Sequence, residues 1–99
     1  MLTINKEIKD GIAVFCLEGR LDTITSPDLE AELKDSLDDV TELEMNFEKL
    51  DYISSAGLRV LLSAQKRMSK QGTMKVTHVN ETIMEIFEVT GFSEILTIE

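Results

Sequence analysis

The hydrophobic residues in the first part of the chain are arranged in segments that are typical of β-strands. Two such segments, residues 3–9 and 12–19, flank the dipeptide Asp10-Gly11. This dipeptide between two strands is a strong signal for a β-hairpin, because both of its residues tolerate a positive φ. The second segment is apolar at both its odd and its even positions, which predicts a central strand of a sheet. The chain is therefore expected to begin with a β-hairpin.

Further along, the apolar residues recur every three or four positions, which indicates amphipathic helices. Three helices are predicted. The first begins with Thr25 or Ser26 as its N-cap, and the third is capped by Asn80. The second and third end at Gly72 and Gly91, because glycine readily adopts the backbone conformation that closes a helix. Their core-facing residues are expected to be Leu29, Leu33 and Leu37, then Leu58, Leu61, Leu62 and Met68, and finally Ile83, Ile86 and Phe87.

Two further strands, at residues 42–48 and 74–79, separate these helices, and a short strand at 95–98 is left open. Strands that alternate with helices favour parallel pairing through right-handed crossovers. The expected fold is α/β, with a mixed and mostly parallel sheet of four to five strands and helices packed against it. Because no linker or internal repeat interrupts the pattern, residues 1–99 are predicted to form a single domain.

Charge and composition narrow the range of functions. The chain has ten basic and nineteen acidic residues, so its formal net charge is −9. This charge disfavours nucleic acids and anionic membrane surfaces and favours a basic patch on a partner protein. There is no apolar segment long enough to span a bilayer, and the first residues lack the layout of a signal peptide. With Cys16 as its only cysteine, the chain is expected to be cytoplasmic, without membrane insertion.

The serine pair Ser54-Ser55 lies within LDYISSAGLRVLL (residues 50–62), between the third strand and the second helix. In α/β sheets this edge is where ligands and partners usually bind, and a helix start offers unpaired N–H groups. The simplest structural explanation is that Ser54 caps the helix, which would contribute about 1 kcal/mol. A cap leaves Ser55 unexplained. It also leaves unexplained the small residues Ala56 and Gly57, beside which a partner could approach the backbone closely.

The chain resembles the STAS domain of bacterial anti-sigma factor antagonists. Three segments carry the resemblance: LEGRLDTITSPDL (residues 17–29), LDYISSAGLRVLL (50–62) and VNETIMEIFEVTGFSEIL (79–96). The second is the most specific, because it resembles the family signature Asp-Ser-Ser/Thr-Gly-Leu. Matching Gly57 and Leu58 to that signature places the family's phosphorylated serine at Ser55.

The resemblance implies a partner-switching protein that has no enzymatic activity of its own. The antagonist binds an anti-sigma factor that is also a serine kinase, phosphorylation releases it, and a PP2C-type phosphatase restores binding. The free antagonist is expected to be a monomer. The residues expected to contact the partner are Asp22, Thr23, Ser54, Ser55, Ala56, Gly57, Leu58 and Arg59.

Two departures from the signature leave an alternative open. Ser54 stands where the family usually has Asp, and Ala56 where it usually has Ser or Thr. The same segment resembles STAS subunits that act as scaffolds or regulatory subunits, for example of a lipid ABC transporter complex, in which the serine is structural.

An enzymatic function is not expected. The nucleophile motif G-x-S-x-G lacks its first glycine, and His78 is the only histidine, predicted to lie within a strand. The chain also lacks the glycine-rich phosphate-binding motif of nucleotide-binding proteins. No catalytic residue, metal site or cofactor is therefore predicted.

Overall fold

The computed structural model describes all 99 residues and has the predicted order of elements, with one short helix added at the end. The elements are β1 (Leu2–Lys9), β2 (Ile12–Leu21), α1 (Ser26–Ser36), β3 (Glu42–Ile53), α2 (Ser55–Gln71), β4 (Thr73–Thr77), α3 (Glu81–Thr90) and α4 (Phe92–Ile95). The four strands form one sheet in the order β1-β2-β3-β4. β1 pairs antiparallel to β2, whereas the other two pairings are parallel. The predicted mixed, mostly parallel sheet is confirmed.

The hairpin between β1 and β2 forms as predicted. Asp10 and Gly11 both have positive φ, at 53° and 81°. This is the conformation in which a two-residue turn matches the twist of the strands that it joins. The hairpin makes β2 a central strand, with β1 on one side and β3 on the other.

The helices cover only one face of the sheet. On that face Phe15 of β2 and Phe47 of β3 are fully buried, and the rings of Phe47 and Phe87 of α3 lie 6.5 Å apart between centroids. On the opposite face Ile12 remains 45% exposed and Cys16 is exposed. β2 is therefore a central strand, as predicted, but helices cover only one of its two apolar faces. β2, β3 and β4 follow one another in one direction across the sheet, and right-handed crossovers, the general rule, would place α1 and α2 on the same side of it.

The predicted helix ends are confirmed for α2 and α3. Asn80 caps α3, because its Oδ1 accepts a hydrogen bond of 2.8 Å from the Ile83 N–H. Gly91 ends the same helix in the left-handed region, with φ 84°. Gly72 ends α2, where an added Cβ would lie only 1.8 Å from the backbone oxygen of Thr41. None of the four helices combines the length and the apolar character required to cross a membrane.

The main differences from the predicted boundaries concern β3, β4 and the C-terminal segment. β3 continues past residue 48 to Ile53, because two register shifts against β2 keep its apolar residues facing the core. β4 ends at Thr77, so His78 lies just outside the strand with φ 58°. The open alternative of a strand at 95–98 is replaced by α4 and a single parallel bridge between Val76 and Ile98.

Candidate functional site

Two segments meet where the parallel strands β2 and β3 end. Leu21, the last residue of β2, pairs with Ile53, the last residue of β3. The next residue, Ser54, donates a backbone hydrogen bond of 2.9 Å to the Leu21 carbonyl oxygen. The loop at residues 22–25 therefore leaves the sheet beside the serine pair, as expected for neighbouring parallel strands.

The two serines have different environments. Ser54 occupies the N-cap position of α2 in an extended conformation, and its carbonyl oxygen accepts the first helical bond from the Leu58 N–H at 3.0 Å. Its hydroxyl makes no capping bond, and its Oγ is buried without a hydrogen-bond partner. Ser55 is the first residue of the helix and is exposed. The position predicted for Ser54 is confirmed, but the predicted side-chain cap is absent.

Gly57 and Leu58, two of the residues predicted to contact the partner, are buried on the core-facing side of α2. A Cβ added at Gly57 would lie 2.8 Å from Cγ1 of Ile53 and 2.8 Å from Cγ of Leu21. The absence of a side chain at Gly57 therefore allows α2 to pack closely against the ends of β2 and β3. The expectation that Gly57 is open to a partner is wrong, because the groups that approach it belong to the core of this same chain.

The carboxylate of Asp22 holds the loop at residues 22–25 in shape. Its Oδ1 accepts hydrogen bonds from the backbone N–H groups of Ile24 and Thr25, both at 3.0 Å. The bond from the Thr25 N–H is the main reason why the pKa of Asp22 lies below its ordinary value. Thr25 occupies the N-cap position of α1, but its hydroxyl accepts a bond of 2.9 Å from the Asp22 N–H instead of capping the helix. Asp22 therefore has an internal role in addition to the partner contact predicted for it.

The fixed loop presents two residues to the outside. Ile24 is 86% exposed and is not among the residues predicted to contact the partner, although an isoleucine within the polar segment DTITS is an unusual feature. Thr23 is also exposed and lines a shallow groove together with Ala56 and Arg59 of α2. The structure thus brings Thr23, Ala56 and Arg59 together beside Ser55. Thr23, Ser55 and Arg59 were expected to lie close together, because the ends of neighbouring parallel strands share one edge.

The low pKa of Asp22 predicts a specific pH dependence of stability. Because this pKa is lower in the folded chain than the ordinary 3.8, the ionised carboxylate stabilises the fold above that pH. The contribution is lost as pH falls through the lower, folded-state value. Asp22→Asn should therefore lower the Tm at neutral pH, and the difference from the wild type should shrink in acid. Asp51→Asn, at an exposed carboxylate without an ion pair, is the control. A Tm difference for Asp22→Asn that does not change with pH would contradict the prediction.

Comparisons with known proteins agree with this fold and site. Residues 3–99 match the family model of the STAS domain. The candidate anti-sigma factor antagonist BtrV of Bordetella bronchiseptica is 35% identical over 91 residues, which cover 90% of this chain and 78% of BtrV. The structure of an anti-sigma factor antagonist from Mycobacterium paratuberculosis superimposes with a TM-score of 0.89 at 21% identity, over 99% of this chain and 85% of that chain.

A second structural relative is the Bacillus cell fate determinant SpoIIAA in its phosphorylated form. It superimposes with a TM-score of 0.76 at 20% identity and covers 98% of this chain and 91% of its own. At such identities the two solved structures establish only the shared fold. The family assignment rests on the STAS model, which matches nearly the whole sequence. The chain belongs to the STAS domain family.

Proposed function

We propose that this chain is an anti-sigma factor antagonist that binds an anti-sigma factor with serine kinase activity and is released by phosphorylation of Ser55. The observation that carries the proposal is the exposure of Ser55 at the first residue of α2, beside the fixed loop at 22–25. The neighbouring Ser54 has a buried Oγ, so a kinase would reach Ser55 more easily. The similarity to BtrV supports antagonism, and the phosphorylated form of SpoIIAA supports phosphate on this fold.

A phosphate on Ser55 should be compatible with the fold. It would add a charge of about −1.5 to −2 at neutral pH, next to the positive end of the α2 dipole. The first turn of α2 contains no acidic residue, so nothing there would repel the phosphate. Arg59 lies four residues further along, which places it on the same side of the helix as Ser55. In a closely packed interface the same charge would be costly, because it must lose its water. Phosphorylation should therefore separate the partners without unfolding this chain.

The proposal also assigns the remaining components of the switch. The kinase activity belongs to the anti-sigma factor, and a PP2C-type phosphatase would restore the unmodified form. This chain would then act as a single binding domain of residues 1–99, monomeric when free and located in the cytoplasm with its partners. It needs no cofactor, because the only group that changes is a serine hydroxyl.

The test is to find where phosphate is added. Each anti-sigma factor kinase encoded in the same genome would be purified and incubated with this chain and ATP, and the product analysed by mass spectrometry. We expect one phosphate, on Ser55, which a PP2C-type phosphatase from that genome removes. Ser55→Ala should abolish the modification. Ser54→Ala should leave it intact, because the Ser54 hydroxyl makes no hydrogen bond that the site would lose.

The other outcomes separate the alternatives. Phosphate on Ser54 would move the site by one residue. Binding of a partner without phosphate on either serine would favour the scaffold or regulatory subunit to which the ISSAGL segment is also similar. No binding to any of the kinases would contradict the proposed function.

A further inference from the structure

The helix that begins at Ser55 differs in charge from the rest of the chain. α2 contains no acidic residue and four basic ones, Arg59, Lys66, Arg67 and Lys70. The remainder of the chain therefore has six basic and nineteen acidic residues, a net charge of −13. Arg67 is already paired, because its Nη2 lies 2.9 Å from Oδ1 of Asp38. The other three basic residues of α2 make no ion pair.

These three cations form a line that starts at the serine. Ser55, Arg59, Lys66 and Lys70 follow at intervals of four, seven and four residues, so they share one face of the helix. All four are exposed. From Ser55 to Lys70 the line is about 22 Å long at the rise of an α-helix. We call Arg59, Lys66 and Lys70 the basic stripe.

A groove with a partly apolar lining runs beside the basic stripe. It lies between α1 and α2 and has a volume of about 380 Å³. Its apolar lining consists of Leu33, Leu37, Val60 and Ala64, and its polar lining of Glu30, Lys34, Ser63 and Arg67. Val60 also lines the shallow groove that contains Arg59, so the two grooves are adjacent. A partner that lay along α2 could therefore combine ionic contacts to the stripe with apolar contacts in the groove.

We propose that the basic stripe binds an acidic surface of the anti-sigma factor kinase, an inference that rests on the proposed function. An acidic partner surface agrees with the sign of the proposed switch, because it adds charge repulsion to the desolvation cost of the phosphate. A phosphate on Ser55 next to Arg59 would lower the charge of the stripe from +3 to about +1 and would repel carboxylates on the partner. A basic partner surface would instead be attracted by the phosphate, and phosphorylation would then strengthen the complex.

The charge of the rest of the chain gives the same partner a defined orientation. An acidic surface is repelled by the net charge of −13 on the rest of the chain and attracted by the positive charge of α2, which favours an orientation that faces this helix. The net charge of −9 predicts a basic partner patch, but that prediction averages over the whole surface. At the face that contains Ser55 the local charge has the opposite sign.

The test compares two charge reversals of equal size. Lys66→Glu with Lys70→Glu reverses the far end of the stripe without touching Ser55. Lys9→Glu with Lys49→Glu is the control, because these lysines are exposed, unpaired and located on the sheet. Affinity for the purified anti-sigma factor kinases would be measured by calorimetry over a range of NaCl concentrations. We expect the stripe variant to weaken binding at least about tenfold and to flatten its salt dependence, and the control to change it less than about threefold.

Two results would overturn the inference while leaving the proposed function intact. Equal losses of affinity in both variants would show that only net charge matters. Unchanged affinity in the stripe variant, with binding still abolished by Ser55→Asp, would place the partner away from the stripe. Failure of the wild-type chain to bind any kinase would instead contradict the proposed function itself.

Discussion

Gly57→Leu should destabilise the domain strongly. An added Cβ at this position would already lie 2.8 Å from side-chain carbons of both Leu21 and Ile53, and leucine adds three further carbons in the same space. Overpacking of a core costs about 1–3 kcal/mol and occasionally more, and this site lies between a helix and the ends of two strands. We expect a loss near the upper end, about 3 kcal/mol in the free energy of unfolding.

Urea denaturation and thermal melting would measure this effect. In a domain of this size each kcal/mol changes the Tm by about 4–8 °C, so the Tm should fall by roughly 12 °C or more. Gly57→Ala should show a smaller loss, because it adds one carbon. Ala56→Leu is the matched control: Ala56 lines the open groove, so its replacement should change stability by less than about 1 kcal/mol. A Gly57→Leu variant as stable as the wild type would contradict the packing described here.

The burial of Gly57 could have been predicted from the helical period. Gly57, Leu61, Ala64 and Met68 are separated by four, three and four residues, and all four are buried. The prediction treated the glycine as an opening for a partner, because small residues beside a serine pair suggest an exposed backbone. A small residue in a helix indicates that another group packs closely against the helix backbone. Its position in the helical period tells whether that group belongs to the core of the same chain or to a partner protein.

Other differences arise from contacts that no local pattern contains. Phe47, Leu50 and Ile53 are all buried although they are three residues apart, which breaks the two-residue period of a strand. The strand continues because register shifts against β2 return each of them to the core, and these shifts depend on pairing with a distant segment. The missing cap at Ser54 has a similar origin. Its backbone N–H is bound to the Leu21 carbonyl, and its hydroxyl is enclosed by the structure around that junction.

The elements that were predicted well have strong local signals. The Asp10-Gly11 hairpin, the asparagine cap of α3 and the glycine ends of α2 and α3 each depend on the backbone preferences of one or two residues. The meeting of Thr23 with Ala56 and Arg59 followed from topology, since the ends of adjacent parallel strands share an edge. The basic stripe was also visible in the sequence, but only after charge is counted one element at a time.

Ser55→Asp should weaken binding to the partner without lowering the stability of the domain. The aspartate places a negative charge at the start of α2, where the first turn has no acidic residue to oppose it and Arg59 lies one turn away. We expect the free energy of unfolding to stay constant or to rise by about 0.3–1 kcal/mol. Affinity for the anti-sigma factor kinase should fall at least tenfold, which corresponds to about 1.4 kcal/mol of binding free energy. Calorimetry and urea denaturation of the same preparation would give both numbers.

Ser55→Asn isolates the charge, because asparagine has nearly the same size and shape as aspartate but is neutral. It should weaken binding much less than Ser55→Asp does, and the gap between the two should narrow as NaCl is raised and the charges are screened. Equal losses for the two variants would mean that Ser55 acts through its size, and the electrostatic switch would be wrong. A Ser55→Asp variant that binds as tightly as the wild type would contradict the placement of Ser55 in the interface. A variant that unfolds would show that the start of α2 cannot hold the charge that phosphorylation brings.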